Sequence, residues 1–255
     1  MPIYENGPVK IYYEEAGAGF PLLVIPGGGL NAKIANLASH AFNPLEEFSD
    51  TYRVIALDLR NATDSQAEGP LEIERPWDCF LDDQLGLMDH LGIDQFMAMG
   101  FCIAGPMIWN LLKQAGDRVI ATTIVHPIGY TSSHPDLFYN NYMNGWAPEF
   151  IKRRPEITME MISEFLINMY TKPADFVYTV DRDFVRNCQT PVLVLPDDVP
   201  AHPYAPAMES ALLAPNAQVS LYPWKENDRK IALALRHIHG FMATNALAAQ
   251  AKAME

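Results

Sequence analysis

Short apolar runs and longer segments of helical spacing alternate along most of this chain. Residues 9–15, VKIYYEE, alternate in the manner of a half-buried strand. Pro21 to Gly29, PLLVIPGGG, is an apolar run closed by glycines, the pattern of a buried strand entering a tight turn. Tyr52 to Arg60, Phe96 to Phe101, Val119 to His126, Thr190 to Asp198 and Ala217 to Trp224 read as further strands. Between them, Asp78 to Gly92 places Leu81, Leu85, Met88 and Leu91 on one helical side, and Gly92 ends it. GPMIWNLLKQAG predicts a helix closed by Gly116, and a last helix runs from about Asp228 to Ala249. Its stripe is Ile231, Ala234, Leu235, Ile238, Phe241 and Met242, which leaves His237 and His239 at the surface.

Buried strands alternating with helices predict an α/β fold, a mostly parallel sheet covered on both faces. Residues 129–189 break the alternation with helix-like stretches rich in Phe, Tyr, Met and Trp. An insertion there lies over the carboxyl ends of the strands, where open α/β sheets bind ligands. The expected division is therefore a core of residues 1–128 and 190–255 with a helical cap insertion at 129–189. An ordinary helical excursion with a small core of its own is the plainer alternative.

Composition narrows the partners. A formal net charge of -13 over 255 residues disfavours nucleic acid and anionic membranes. The opening MPIYENGPVK is polar, and no apolar run approaches membrane-spanning length, so a soluble cytoplasmic protein is expected. Cys79, Cys102 and Cys188 share no metal or disulfide spacing and read as free thiols in a reducing compartment.

Cys102 stands out by its neighbours. MGFCIAGP places Gly100 and Ala104 two residues to either side, at the end of an apolar strand and the start of a helix. A nucleophile on a sharp strand-to-helix turn needs small neighbours there, because strand and helix pass close together. The next N–H then points at the thiol from a helix N-terminus, which favours the thiolate. A small buried cysteine is the alternative reading. Cys79 and Cys188 lack this context and read as structural.

The order of elements, with MGFCIAGP at the turn, resembles the α/β-hydrolase fold, with cysteine where serine is usual. VIPGGG resembles its oxyanion loop, VIALDLRNATDSQ the strand and loop that follow, and PWDCFLDDQLGLMDHLGIDQFMAMGFC the helix leading into the elbow strand. G-x-C-x-[GA]-G is also similar to dienelactone hydrolases, which use a cysteine nucleophile. The resemblance implies oxyanion donors at Ile103 and at Gly28 or Gly29, a role that glycine's backbone freedom permits. It also implies an acid after the next-to-last strand and a histidine after the last one.

Here the chain departs from the family. The final loop offers Glu226 and no histidine, while PDDVPAHPYAP before it holds His202 beside Asp197 and Asp198. Triad chemistry depends on spatial arrangement and not on chain order. The expected constellation is thus Cys102, His202 as base and Glu226 as orienting acid. Asp198 is the alternative acid, and His126, at the end of its strand, is the rival base or a substrate contact. His40, His90 and His134 have weaker cases. Asn61 and Ser65 make local turn bonds or touch substrate, and Trp146 and Trp224 are candidate pocket walls or core residues.

The expected activity is cofactor-independent hydrolysis of a small ester, lactone or thioester through a thioester on Cys102. No metal or organic cofactor is implied, since neither a ligand cluster nor a phosphate loop is present. A cofactor-free lyase or acyltransferase on the same site and a non-catalytic small-molecule receptor are the alternatives. Apolar cap surface is compatible with a homodimer.

Overall fold

A computed structural model describes residues 2–253. Its strands are β1 (Ile3–Asn6), β2 (Val9–Ala16), β3 (Phe20–Ile25), β4 (Tyr52–Leu57), β5 (Phe96–Phe101), β6 (Val119–Val125), β7 (Val192–Leu195) and β8 (Ala217–Val219). They form one sheet in the order β1-β2-β4-β3-β5-β6-β7-β8. The β1–β2 and β2–β4 pairs are antiparallel, and every pair from β4 to β8 is parallel. The helices are α1 (Pro44–Glu47), α2 (Asp78–His90), α3 (Ala104–Ala115), α4 (Leu137–Asn144), α5 (Trp146–Arg153), α6 (Met159–Leu166), α7 (Arg182–Asn187), α8 (Tyr204–Leu213) and α9 (Asp228–Ala253).

The two faces of the sheet carry separate cores, and the period of two along each strand sorts residues between them. Leu23, Ile25 and Ala98 join the face covered by α2 and α3. Leu22, Val24, Met97 and Met99 join the other, where Ala234, Ile238, Phe241 and Met242 of α9 pack. Four of the six stripe residues therefore bury as the spacing predicts, while Ile231 and Leu235 are only partly covered.

Two strands differ from the expected pattern. β1 has no sequence signal, because this edge strand buries only Tyr4. The last strand ends at Val219, well before Trp224. Ser220 N–H donates to Val194 O at 2.9 Å beyond it. Pro223 has no N–H with which to extend a ladder.

Residues 129–189 fold into α4 to α7 between β6 and β7. They have no core of their own: Phe138, Trp146, Phe150, Phe165 and Tyr170 join the cluster that contains Ile25 and Ala98. Side-chain donors fasten the segment to the loop after β4 and to the approach to α2. Trp146 Nε1–H donates to Asn61 O at 3.2 Å, Arg153 Nη1 to Ala62 O at 2.8 Å, and Asn168 Nδ2 to Ile73 O at 2.8 Å. In return, Trp77 Nε1–H donates to Met169 O at 2.9 Å. Trp146 itself stacks on Phe150, with ring centroids 4.5 Å apart, so it belongs to the packing. Among the described residues, no helix is long and apolar enough to cross a membrane.

Candidate active site

Cys102 sits on the turn between β5 and α3 with φ of 57°, a left-handed backbone uncommon for a residue with a side chain. The turn is held in place: Cys102 N–H donates to Val125 O at 3.0 Å, and Cys102 O accepts from Gly105 and Ile128, each at 3.1 Å. Space around it is minimal. A Cβ on Gly100 would stand 2.5 Å from the Ala104 Cβ, and one on Gly105 would stand 2.5 Å from the Pro127 Cβ.

The thiol is half-buried, and burial pushes its pKa up from the ordinary value. The backbone N–H groups of Gly28, Ile103 and Gly29 act in the opposite direction and favour the thiolate. Ile103, with Gly28 or Gly29, is the donor set the resemblance implies, and all three act on the Cys102 thiol. Gly28 and Gly29 turn toward it with φ of 127° and 62°. Neither tolerates a side chain: a Cβ on Gly28 would meet Asn36 Nδ2 at 2.3 Å, and one on Gly29 would meet the Tyr142 hydroxyl at 2.3 Å. Tyr142 belongs to α4, so the helical segment reaches the glycine loop. Burial raises the Tyr142 phenol pKa, with the Cys102 charge acting in the same sense.

Beside the elbow stand three histidines. His126 follows β6, whose register with β5 sets Val125 opposite Phe101, one residue before Cys102. Its ring lies 4.7 Å from that of His202 and 5.5 Å from that of His40, centroid to centroid. His40 stacks on Phe101 at 4.6 Å, and Trp224 lies parallel to His126 at 6.0 Å. Trp224 is buried, with Nε1–H donating to Pro196 O at 3.0 Å, and so walls the cluster.

All three rings are disfavoured as cations. His126 is pushed down to about 2, by burial first and then by His202, Lys225 and His40. Burial also lowers His40 and His202. For His202, Asp197 opposes the shift and Lys225 adds to it. His126 Nδ1 and His40 Nε2 are buried without a protein hydrogen-bond partner. Among the described residues, no group of three or more His, Cys, Asp or Glu side chains is arranged to hold a metal ion.

The orienting acid differs from the one expected. Glu226 is exposed and pairs with Lys230 one helical turn on, at the start of α9. The carboxylate beside His202 is Asp197, with Oδ2 3.3 Å from Nδ1 but out of line for a hydrogen bond. Asp197 is buried, whereas Asp198, the alternative named from the sequence, is exposed. The same Asp197 oxygen accepts from Lys225 Nζ at 2.5 Å. Trp224 is buried, its neighbour Lys225 reaches Asp197, and Glu226 is exposed to solvent. Lys225 is the residue the sequence reading passed over. Its one visible signal is its place in the loop where the family keeps its histidine.

Other expected contacts resolve locally. Asn61 Oδ1 accepts from Gly69 N–H at 3.2 Å, and Ser65 Oγ donates to Asp58 Oδ2 at 2.5 Å. His90 packs near Tyr4, with centroids 5.4 Å apart, and His134 contacts Ser133 at the surface.

Comparison with known proteins identifies the fold. A family model for the alpha/beta hydrolase fold matches residues 21–242. Epoxide hydrolase 3 of Xenopus tropicalis is 25% identical over 173 residues, covering 67% of this chain and 45% of that protein. The chain thus spans less than half the length of that curated relative. The enol-lactonase from Burkholderia xenovorans LB400 superposes with a TM-score of 0.65 at 16% identity, covering 95% of this chain and 100% of that one. A meta-cleavage product hydrolase from Pseudomonas fluorescens IP01 gives 0.65 at 17% identity, covering 92% and 95%. The sheet order, the strained turn after β5 and the match over most of its length agree: this chain belongs to the α/β-hydrolase fold family.

Proposed function

We propose that the chain is a cofactor-independent hydrolase of a small ester, lactone or thioester, with Cys102 as nucleophile. The observation that carries this reading is the sulfur at a strained turn, where the backbone N–H groups of Gly28, Gly29 and Ile103 favour its charged form. Those donors are placed to receive a developing oxyanion. Tyr142 against the glycine loop supports a role for residues 129–189 as a cap over the site.

Burial holds the resting sulfur as a thiol, so attack needs a base. His202 supplies it, neutral at rest, with Asp197 behind its Nδ1. The ring takes the thiol proton as sulfur adds to the substrate carbonyl carbon. The oxyanion passes to the three N–H groups. Collapse breaks the bond to the leaving oxygen or sulfur, which takes the proton from the imidazolium. Water then gives a proton to His202 and attacks the thioester. The acid departs, and the sulfur regains a proton. His126, packed against His202, holds the ring in place from the end of β6.

Hydrolysis of short-chain p-nitrophenyl esters and of a small lactone tests the reading. Wild type turns over at least one of them, and Cys102→Ala lowers kcat by on the order of 10³-fold or more. Unchanged turnover in Cys102→Ala, or none in wild type across the panel, rules it out.

A further inference from the structure

One oxygen of Asp197 faces two basic side chains. Lys225 Nζ holds it at 2.5 Å, while His202 Nδ1 stands at 3.3 Å and out of line. A carboxylate aligned with a histidine alone stabilises the imidazolium. Here the carboxylate comes from the loop after β7 and the ammonium from the loop after β8, on neighbouring strands. The second loop is not free to withdraw: Trp224 is buried, and its Nε1–H is bound to Pro196 O, next to Asp197.

The groups facing His202 can be named from each direction. Asp197 comes from its own loop, Lys225 from the β8–α9 loop, His126 from the end of β6, and His40 from the segment after β3. Only Asp197 favours a protonated ring. Glu226, the other nearby acid of the last loop, is engaged by Lys230.

We propose that Lys225 is a positioning residue of the site: by occupying the Asp197 carboxylate it keeps His202 neutral and free to accept the Cys102 proton. The same ammonium favours the Cys102 thiolate, against the effect of burial. One side chain thus adjusts both partners of the proton transfer without touching the substrate carbonyl. In the loop where the family carries its histidine, this chain carries a cation that acts through Asp197 on a histidine from the preceding loop.

This inference rests on the reading of His202 as the base, but its test needs no turnover. The measurement is a ¹H–¹⁵N titration of the histidine rings, with His202 assigned by His202→Gln. In wild type the ring titrates below 6.5, the ordinary imidazole value. Lys225→Met raises its midpoint by about one pH unit, a tenfold change in proton affinity. Lys225→Arg stays near wild type, and Glu226→Gln leaves the midpoint unchanged. Lys225→Gln carries the same arm as Lys225→Met should the latter not fold. An unchanged or lowered midpoint in the folded neutral variant overturns the proposal. A raised midpoint in a chain that hydrolyses no ester leaves Lys225 in this role and removes Cys102 from its own, so the two failures are distinguishable.

Discussion

Cys102 and His126 share a backbone feature, a positive φ of 57° and 37° at the ends of neighbouring strands. Such residues persist only where their surroundings over-determine them. His126 has the further cost of a buried Nδ1 without a partner. The sign of its effect on stability follows from linkage. The folded chain leaves His126 neutral down to about 2, while an unfolded chain protonates it near 6.5. Between those values the unfolded state binds more protons, so stability is lost as pH falls below 6.5, by about 1.4 kcal/mol per pH unit for one group. Urea unfolding at pH 7.5 and 5.5 reads this in a window above most carboxylate titrations. Wild type loses stability across the interval, and His126→Gln loses less, by about 1 kcal/mol. Equal losses in the two proteins contradict a neutral, buried His126.

Between β5 and α3 the relevant quantity is clearance. The elbow exists because Gly100 and Gly105 let a strand and a helix approach Cys102 from both sides. A methyl at Gly100 would lie 2.5 Å from Ala104 Cβ and 2.8 Å from Ile108 Cδ1, both within α3. The Ile108 methyl can rotate aside, but the Ala104 Cβ cannot retreat without moving the helix. Gly100→Ala should therefore cost about 1–3 kcal/mol, read from the urea midpoint, and should lower turnover by displacing Cys102 from its N–H donors. A variant as stable and active as wild type contradicts this packing. The elbow is legible in the sequence for the same steric reason, since only small residues fit two positions from the turn. The α9 stripe is legible because one repeat of 3.6 residues controls its whole buried face.

Across the fold, what the sequence hides is which loop residues meet. His202, Asp197 and Lys225 come from two loops, and no local pattern records their separation. Lys225 and Glu226 are chain neighbours next to the buried Trp224, and it is Lys225 that reaches the site. Burial of an aromatic two positions from an acid has no signature that a search for a histidine and its acid detects. The edge strand β1 was hidden for a related reason, since one buried tyrosine makes no alternation. The helices of residues 129–189 were visible by composition. Their fusion with the main core was not, because it depends on donors such as Arg153 and Trp146 reaching the loop after β4.

The chemistry assigned to this arrangement comes down to one covalent bond. Acid quench during turnover of an activated short-chain ester, followed by intact-mass and peptide analysis, looks for it. The expected result is one acyl group on the peptide containing Cys102, absent in Cys102→Ala. An acyl group that persists in Cys102→Ala, or that sits on Cys79 or Cys188, contradicts a Cys102 nucleophile.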